Sequence, residues 1–286
     1  MIVRYVVDDN LRGKRTDKLL AEQLPQFPRA ALHKLFEQDL VWLNGKVTKP
    51  GIKVRDSDIL KVDLSPLDIK IAEINLPIIF EDENVIVVDK PSGVISHARG
   101  KFFDEPSVAS FVRQKSTQQG DRAGIVHRLD RATSGVMITA KNSETLGFLQ
   151  KQFSTRKVKK KYIAVIEGKL PSEIGIIDMP VGRNPKIPQT FHATELGKPA
   201  KTRYKMLKTN DIYTMLELHP ETGRTHQLRV HLKELGHPII GDELYKGKKA
   251  DRQMLHASSL EITIPASNRQ VFVSKTPEIF ENIYNG

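Results

Sequence analysis

A distinctive segment near the middle of the chain has the sequence Gly124-Ile125-Val126-His127-Arg128-Leu129-Asp130-Arg131-Ala132-Thr133-Ser134-Gly135. Its last three residues form a turn, and residues 136–141 alternate as in a β-strand. Asp130 is therefore predicted to lie between two strands, flanked by Arg128 and Arg131. Because a neighbouring cation favours the ionised form of a carboxylate, Asp130 could act as a nucleophile or a base. The structural alternative is a turn carboxylate beside two solvated arginines.

The charge of the chain indicates the class of its partner. The 286 residues carry a formal net charge of +11, and the pI is about 9.6. Such an excess suits a polyanion, either nucleic acid or an anionic membrane surface. No apolar run approaches the roughly 20 residues that span a bilayer, and the first residues lack the apolar core of a signal peptide. We therefore expect a nucleic-acid partner, no membrane, a cytoplasmic location and a monomer.

The reactive side chains limit the possible chemistry. Cysteine is absent, which excludes disulfides, thiolate nucleophiles and cysteine-based zinc sites. The nine histidines show no metal-ligand spacing of the HExxH kind. The sequence thus predicts a reaction without a metal ion or a cofactor.

The first 64 residues are predicted to form a small αβ domain, followed by a linker at 65–76. Its elements are a strand from Ile2 to Val7, a helix from Lys18 to Leu24, a helix from Pro28 to Asp39, a hairpin at Asn44-Gly45, and a strand from Ile59 to Val62. Their order, with Arg15-x-Asp17-x-x-Leu20, Pro28-Arg29 and the hairpin at 41–50, resembles the RNA-binding domain shared with ribosomal protein S-four. The resemblance implies RNA contacts by Arg29, Lys46 and Lys49. The alternative is a structural appendage.

Residues 77–286 are predicted to form a second domain, built on a mixed, mainly antiparallel sheet with helices packed around it. The whole chain is therefore assigned to the α+β class. A loop is predicted at 98–106, and the segment 167–200 is predicted as loops broken by short strands.

A run of cations stands directly before a predicted strand that begins at Tyr162. Lys159 and Lys160 belong to this run, which contains no acidic residue from 156 to 161. A groove that holds phosphates beside an aromatic platform for a base needs this combination. A solvated surface is the alternative.

A second polar cluster, at 219–232, contains two arginines and three histidines. Thr225 is predicted to cap a helix here, which would place Arg229 one turn along it and Arg224 at its mouth. Helix capping and packing also explain Arg224, His226 and Gln227.

Three clusters together carry a family resemblance: His127-Arg128-Leu129-Asp130-x-x-Thr133-Ser134-Gly135, Lys160-x-Tyr162 and Gly223-Arg224-Thr225-His226-Gln227-Leu228-Arg229-Val230-His231. In order and spacing they resemble the RluA-type pseudouridine synthases, and the resemblance covers nearly the whole chain.

The resemblance implies that a uridine in RNA is isomerised to pseudouridine. Asp130 would be the catalytic aspartate, Tyr162 would stack on the target base, and Arg229 would be the basic partner of Asp130. Arg128 would fill the gap left by an extruded nucleotide, and Arg224 would contact RNA.

The function of the chain has three interpretations. Large-subunit ribosomal RNA is expected, because an S-four-like domain on this enzyme type usually accompanies ribosomal RNA modification. Transfer RNA is the first alternative. A non-catalytic RNA-binding assembly factor is the second, although such a protein would not need Asp130, Tyr162 and Arg229 together.

Removal of residues 1–62 tests the predicted division of the chain. We expect the remaining chain to fold and to bind RNA more weakly, or to modify fewer targets, because basic side chains of the first domain are lost. Circular dichroism and RNA titration measure the two effects. Loss of the entire fold on truncation would contradict the modular prediction.

Overall fold

The computed structural model describes residues 1–67, 73–98, 105–120, 122–210 and 212–285. The chain divides into two compact units. The predicted domain bounds, 1–64 and 77–286, stay predictions, because residues 68–72 of the predicted linker lie outside the described residues. Most of the loop predicted at 98–106 also lies outside them.

The first unit is a four-stranded antiparallel sheet with two helices. Its elements are β1 (Ile2–Val6), α1 (Thr16–Gln23), α2 (Arg29–Glu37), β2 (Val41–Leu43), β3 (Lys46–Val47) and β4 (Ile59–Asp63). The strand order is β1-β4-β2-β3. Leu20 of α1 and Leu35 of α2 are fully buried in the core of this unit. Asn44 and Gly45 both have positive φ angles, 51° and 78°, as the predicted two-residue hairpin turn requires.

The second unit contains eleven strands and four helices in its described residues. The strands are β5 (Ile78–Glu81), β6 (Val85–Lys90), β7 (Ser134–Ala140), β8 (Lys159–Glu167), β9 (Ile174–Asp178), β10 (Val181–Arg183), β11 (Phe191–Ala193), β12 (Lys201–Thr209), β13 (Tyr213–Pro220), β14 (Leu255–Thr263) and β15 (Arg269–Val273). The helices are α3 (Val108–Gln114), α4 (Ser143–Ser154), α5 (Gln227–Glu234) and α6 (Ile279–Asn285). None of the described helices has the length and apolar character that crossing a bilayer requires.

Nine of these strands form one sheet in the order β5-β6-β7-β14-β8-β13-β12-β9, with β15 paired to β14. Only β7 and β14 run parallel among the described strand pairs of this sheet. The prediction of an α+β fold with a mixed, mainly antiparallel sheet is confirmed.

Two local predictions differ from the structure. Strand β8 begins at Lys159 rather than at Tyr162, because its pairing with β14 continues through Lys159, Lys160 and Lys161. Strand β15 was not predicted; it pairs with the later part of β14, from Ser259 to Thr263.

The row of residues at the centre of the sheet explains how distant parts of the chain meet. Ala257 of β14 pairs with Gly135 of β7 on one side and with Tyr162 of β8 on the other. Since neighbouring strands lie about 4.8 Å apart, this row brings Tyr162 close to the segment that precedes Gly135. All seven residues of β7 are buried, so that segment is anchored in the core.

Gly135 tests the importance of this row. Its φ angle is 114°, and a Cβ atom there would lie 2.1 Å from the carbonyl oxygen of Ala257. We expect Gly135→Ala to lower the free energy of unfolding by about 3 kcal/mol, measured by calorimetry. Gly147→Ala is the matched control: it lies on α4 with no atom within 4 Å of the added methyl group, and should stabilise by ~0.5–1 kcal/mol. Equal changes in the free energy of unfolding for the two substitutions would contradict a steric conflict at position 135.

Candidate active site

Asp130 lies in the loop before β7, and its backbone is held on both sides. The Ser96 hydroxyl donates to the carbonyl of Leu129 at 2.7 Å and accepts from the Leu129 N–H at 3.0 Å. On the other side, Lys90 Nζ donates to the carbonyl of Arg131 at 3.2 Å. The Asp130 side chain is 19% exposed. These bonds direct its carboxylate into a cavity.

Lys90, at the end of β6, is fully buried. Its Nζ also donates to the carbonyls of Pro91 and Val94, at 2.9 and 2.7 Å. Burial lowers the pKa of Lys90 to about 7, although the nearby Asp130 carboxylate opposes the shift. Lys90 therefore joins the turn after β6 to the Asp130 loop. No role was predicted for Lys90 from the sequence, although a lysine-proline pair after a buried strand was the available signal.

Arg229 of α5 connects two carboxylates. Its Nη1 donates to Asp130 Oδ2 at 3.2 Å, while Nε and Nη2 donate to Asp242 Oδ2 and Oδ1 at 2.7 and 2.8 Å. Gln253 Nε2 donates to the same Asp242 Oδ2 at 2.7 Å. Burial lowers the pKa of Arg229, but the two carboxylates outweigh burial and the pKa is raised. Arg229 is therefore a fixed cation with one N–H directed at Asp130.

Asp242 and Gln253 were missed in the sequence. No second carboxylate adjoins Asp130 along the chain, yet Asp242 is linked to it through Arg229. The available signal was the glycine before Asp242: Gly241 has a φ angle of 75°, and a Cβ there would meet the carbonyl oxygen of Arg252 at 1.9 Å. A required glycine next to a buried carboxylate marks a tightly specified turn.

Helix α5 begins at Gln227, so the prediction that Thr225 caps it is wrong. His226 occupies the cap position with a φ angle of 56°, and no side chain caps the helix. The carbonyl oxygen of the Gln227 side chain accepts from the Arg224 N–H at 3.0 Å and from the Thr222 hydroxyl at 2.7 Å. These bonds close the preceding turn, and they compete with the local cap that the sequence suggested.

The left-handed backbone of His226 places its ring beside Asp130. Its Nε2 lies 3.8 Å from Asp130 Oδ2, and its Nδ1 lies 2.8 Å from the Tyr245 hydroxyl, which also accepts from the Phe191 N–H. Burial lowers the pKa of His226 against the raising effect of Asp130. A residue in this costly backbone region is kept there by its surroundings, and such residues cluster at functional sites.

Tyr162 of β8 lines the same cavity as Asp130. Burial, and then the charge of Asp130, raise the pKa of the Tyr162 phenol, so it stays protonated at neutral pH. The cavity has a volume of about 110 Å³. Its polar and aromatic lining includes Arg128, Asp130, Thr133, Lys160, Tyr162, Thr222, Arg224, His226, Gln227 and Arg229.

The structure brings most of the predicted site residues together. Asp130, Tyr162, Arg229 and the predicted RNA contacts Arg128, Arg224 and Lys160 all line this cavity. Lys159 does not line it, because its Nζ pairs with Glu261 at 3.2 Å. Arg29, Lys46 and Lys49 belong to the first unit, where all three are exposed. Arg131, which had no predicted role, forms a two-point ion pair with Glu105.

Comparison with known proteins identifies the fold that carries this site. Residues 84–234 match the family of RNA pseudouridylate synthases. An uncharacterized RNA pseudouridine synthase of Aquifex aeolicus is 36% identical over 100% of this chain and 98% of its own. The ribosomal large subunit pseudouridine synthase D of Nitrosomonas europaea is 36% identical over 96% of this chain and 84% of its own. A solved structure, human RNA pseudouridylate synthase domain containing 1, has a TM-score of 0.62 at 28% identity, over 73% and 88% of the two chains.

The chain belongs to the RNA pseudouridine synthase family. It is therefore an isomerase that acts on RNA, and all the residues that line the cavity around Asp130 except Leu255 lie within the matched residues. Asp242 and Gln253 lie beyond the matched segment and support the synthase through Arg229.

Asp242→Asn tests this support. The amide cannot accept both bonds of the buried guanidinium, so we expect a loss of about 3 kcal/mol in the free energy of unfolding. Turnover should fall roughly tenfold or more at unchanged KM, because Arg229 no longer holds Asp130 in one position. Asp251→Asn, an exposed carboxylate nine residues further on, is the control and should change neither value. Unaltered turnover in a folded Asp242→Asn protein would exclude a positioning role.

Proposed function

We propose that this synthase converts specific uridines of large-subunit ribosomal RNA to pseudouridine, with Asp130 as the group that acts on the ribose. The observation that carries the proposal is the Asp130 carboxylate, held by Arg229 at 3.2 Å in a cavity that Tyr162 also lines. The name of the Nitrosomonas europaea relative supports the ribosomal target. The net charge of +11 suits a structured RNA.

The isomerisation needs no external reagent. The bond between the sugar and nitrogen 1 of uracil breaks, the base turns over while it stays in the site, and carbon 5 bonds to the same sugar carbon. The hydrogen on carbon 5 leaves to solvent, and nitrogen 1 gains a hydrogen. Atoms and electrons therefore balance within the RNA and water.

Asp130 supports this sequence at the sugar. An ionised carboxylate can trap the sugar cation as a covalent ester, stabilise it electrostatically, or remove a proton from the sugar. All three routes need a carboxylate that points at the ribose and does not turn away. Arg229 supplies that restraint from one side, and Lys90 holds the adjoining backbone from the other.

Tyr162 supports the base. Its protonated phenol offers a flat surface for stacking and a hydroxyl for hydrogen bonding. A detached uracil must reorient without leaving the site, and a stacking surface can hold the base while it does so.

The exposed position of Arg128 suits a role in the extrusion of the target nucleotide from its stack. Its side chain is exposed, and it stands two residues before Asp130 at the rim of the cavity. Flipping a base out of a stack costs a few kcal/mol, and a side chain that occupies the gap offsets part of that cost. Arg224, whose Nε donates to the carbonyl of Pro199 at 3.1 Å, lines the same cavity, and its charge supports a contact with phosphate.

Tritium release tests the proposal. Large-subunit ribosomal RNA and transfer RNA are transcribed with uridine that carries tritium on carbon 5, and each is incubated with the enzyme. We expect release from the ribosomal RNA, and a loss of roughly a thousandfold or more in Asp130→Ala, because no other group replaces the carboxylate at the sugar.

Asp178→Ala, an exposed carboxylate on β9, is the matched control and should retain full release. Release from transfer RNA alone would assign the enzyme to that substrate. Undiminished release by Asp130→Ala would remove Asp130 from the mechanism.

A further inference from the structure

A second cavity adjoins the active-site cavity. It has a volume of about 500 Å³ and lies between the C-terminal part of α4 and the turn at 221–224. Arg128, Lys160, Tyr162 and Arg224 line both cavities. The two spaces are therefore neighbours along one surface of the same unit.

The walls of the second cavity are cationic. Arg128, Arg156, Lys160 and Arg224 line it, and Glu221 is its one acidic lining residue. The Glu221 carboxylate already accepts from Arg203 Nε at 2.6 Å. The cavity thus has an excess of positive charge that the described side chains around it do not neutralise.

Lys160 differs from the lysines on both sides of it. Lys159 pairs with Glu261 at 3.2 Å, and Lys161 pairs with Glu217 at 3.4 Å. Lys160 forms no ion pair with the described residues, and its Nζ donates one hydrogen bond, to the carbonyl of Thr222 at 3.0 Å. Burial without an anion lowers the pKa of Lys160 to about 8. An anion in the cavity would form the ion pair that the Lys160 ammonium group lacks among the described residues.

Aromatic rings form another part of the lining. His127 and Phe153 stack with their centroids 4.7 Å apart and their planes at 18°. His127 Nε2 accepts from the Ile138 N–H at 3.1 Å, and burial lowers the pKa of His127 to about 3. The neutral ring therefore carries its hydrogen on Nδ1, which has no hydrogen-bond acceptor among the described residues. The lining therefore offers an aromatic surface to a heterocyclic base.

We infer that this cavity binds the nucleotide next to the target uridine, with Lys160 and Arg156 at its phosphate and with Phe153 and His127 at its base. The inference rests on the proposed function, because the occupant must continue the same RNA strand. A cationic wall beside an aromatic surface is the arrangement that holds an unpaired nucleotide. The shared residues place this subsite directly beside the cavity of Asp130.

Salt dependence tests the phosphate contact. The probe is a fluorescein-labelled RNA of nine nucleotides with one central uridine, titrated into the full-length protein at several KCl concentrations. Loss of one phosphate contact should reduce the slope of log Kd against log salt by about 0.7. We expect this in Lys160→Met and in Arg156→Asn, together with a roughly fivefold higher Kd.

Asn is chosen at position 156 because Arg156 has a φ angle of 57°, which Asn tolerates, and the residue is exposed. Lys157→Asn is the matched control. It removes the same charge from the next residue, which is also exposed and does not line the cavity, so its slope should equal that of the wild type.

An abasic probe tests the base contact. Replacement of the base before or after the uridine should raise the wild-type Kd roughly fivefold at one of the two positions, as loss of one stacked base predicts. In Phe153→Leu the same abasic probe should raise the Kd by less than about twofold, because the stacking contact with the base is already lost. Phe148→Leu, an exposed ring on the same helix outside the cavity, should keep the full wild-type penalty.

Both measurements report binding and need no turnover, so they are independent of tritium release. A wild-type enzyme that releases tritium while both cation variants keep the wild-type slope would overturn the subsite and leave the proposed function intact. An undiminished abasic penalty in Phe153→Leu would also overturn it.

Discussion

The buried guanidinium of Arg229 is the interaction on which the site depends. A cation with a side chain only 9% exposed must be neutralised by fixed partners, and Asp242 takes two of its N–H groups while Asp130 takes a third. Because Asp242 is itself held by Gln253, the guanidinium has little freedom to rotate. The direction of the Asp130 carboxylate is thus set by a chain of contacts that begins outside the cavity.

These contacts can fix the Asp130 carboxylate only because the backbone that carries Asp130 is also held in place. The loop that carries it runs into β7, whose residues are all buried, and Lys90 and Ser96 hold its carbonyls. Lys90 is retained in the core at a cost in desolvation, which its lowered pKa reflects. A polar side chain so placed contributes to the position of the Asp130 loop more than to the hydrophobic core.

The strand order then decides what faces Asp130. Strand β14 lies between β7 and β8, and Ala257 forms one row with Gly135 and Tyr162. This row excludes a side chain at 135 and places the aromatic ring at the cavity. The same strand β8 carries Lys160, which lines the second cavity, and Lys159, which pairs with Glu261. A single run of lysines therefore separates into one site residue and two surface ion pairs, and the phosphate subsite that we infer follows from this separation.

Most local elements, the basic character and the family of this protein can be predicted from its amino-acid sequence alone. Strand alternation, the Asn44-Gly45 turn and the spacing around Asp130, Tyr162 and Arg229 depend on neighbours in the chain or on short motifs, so they are visible without coordinates. The roles of Asp242, Lys90 and the left-handed His226 were not visible. Their contacts join residues up to 99 positions apart in this network, and only the tertiary structure brings such groups within hydrogen-bond distance. The beginning of α5 was mispredicted at Thr225 for the same reason, because Gln227 forms hydrogen bonds that no local pattern reveals.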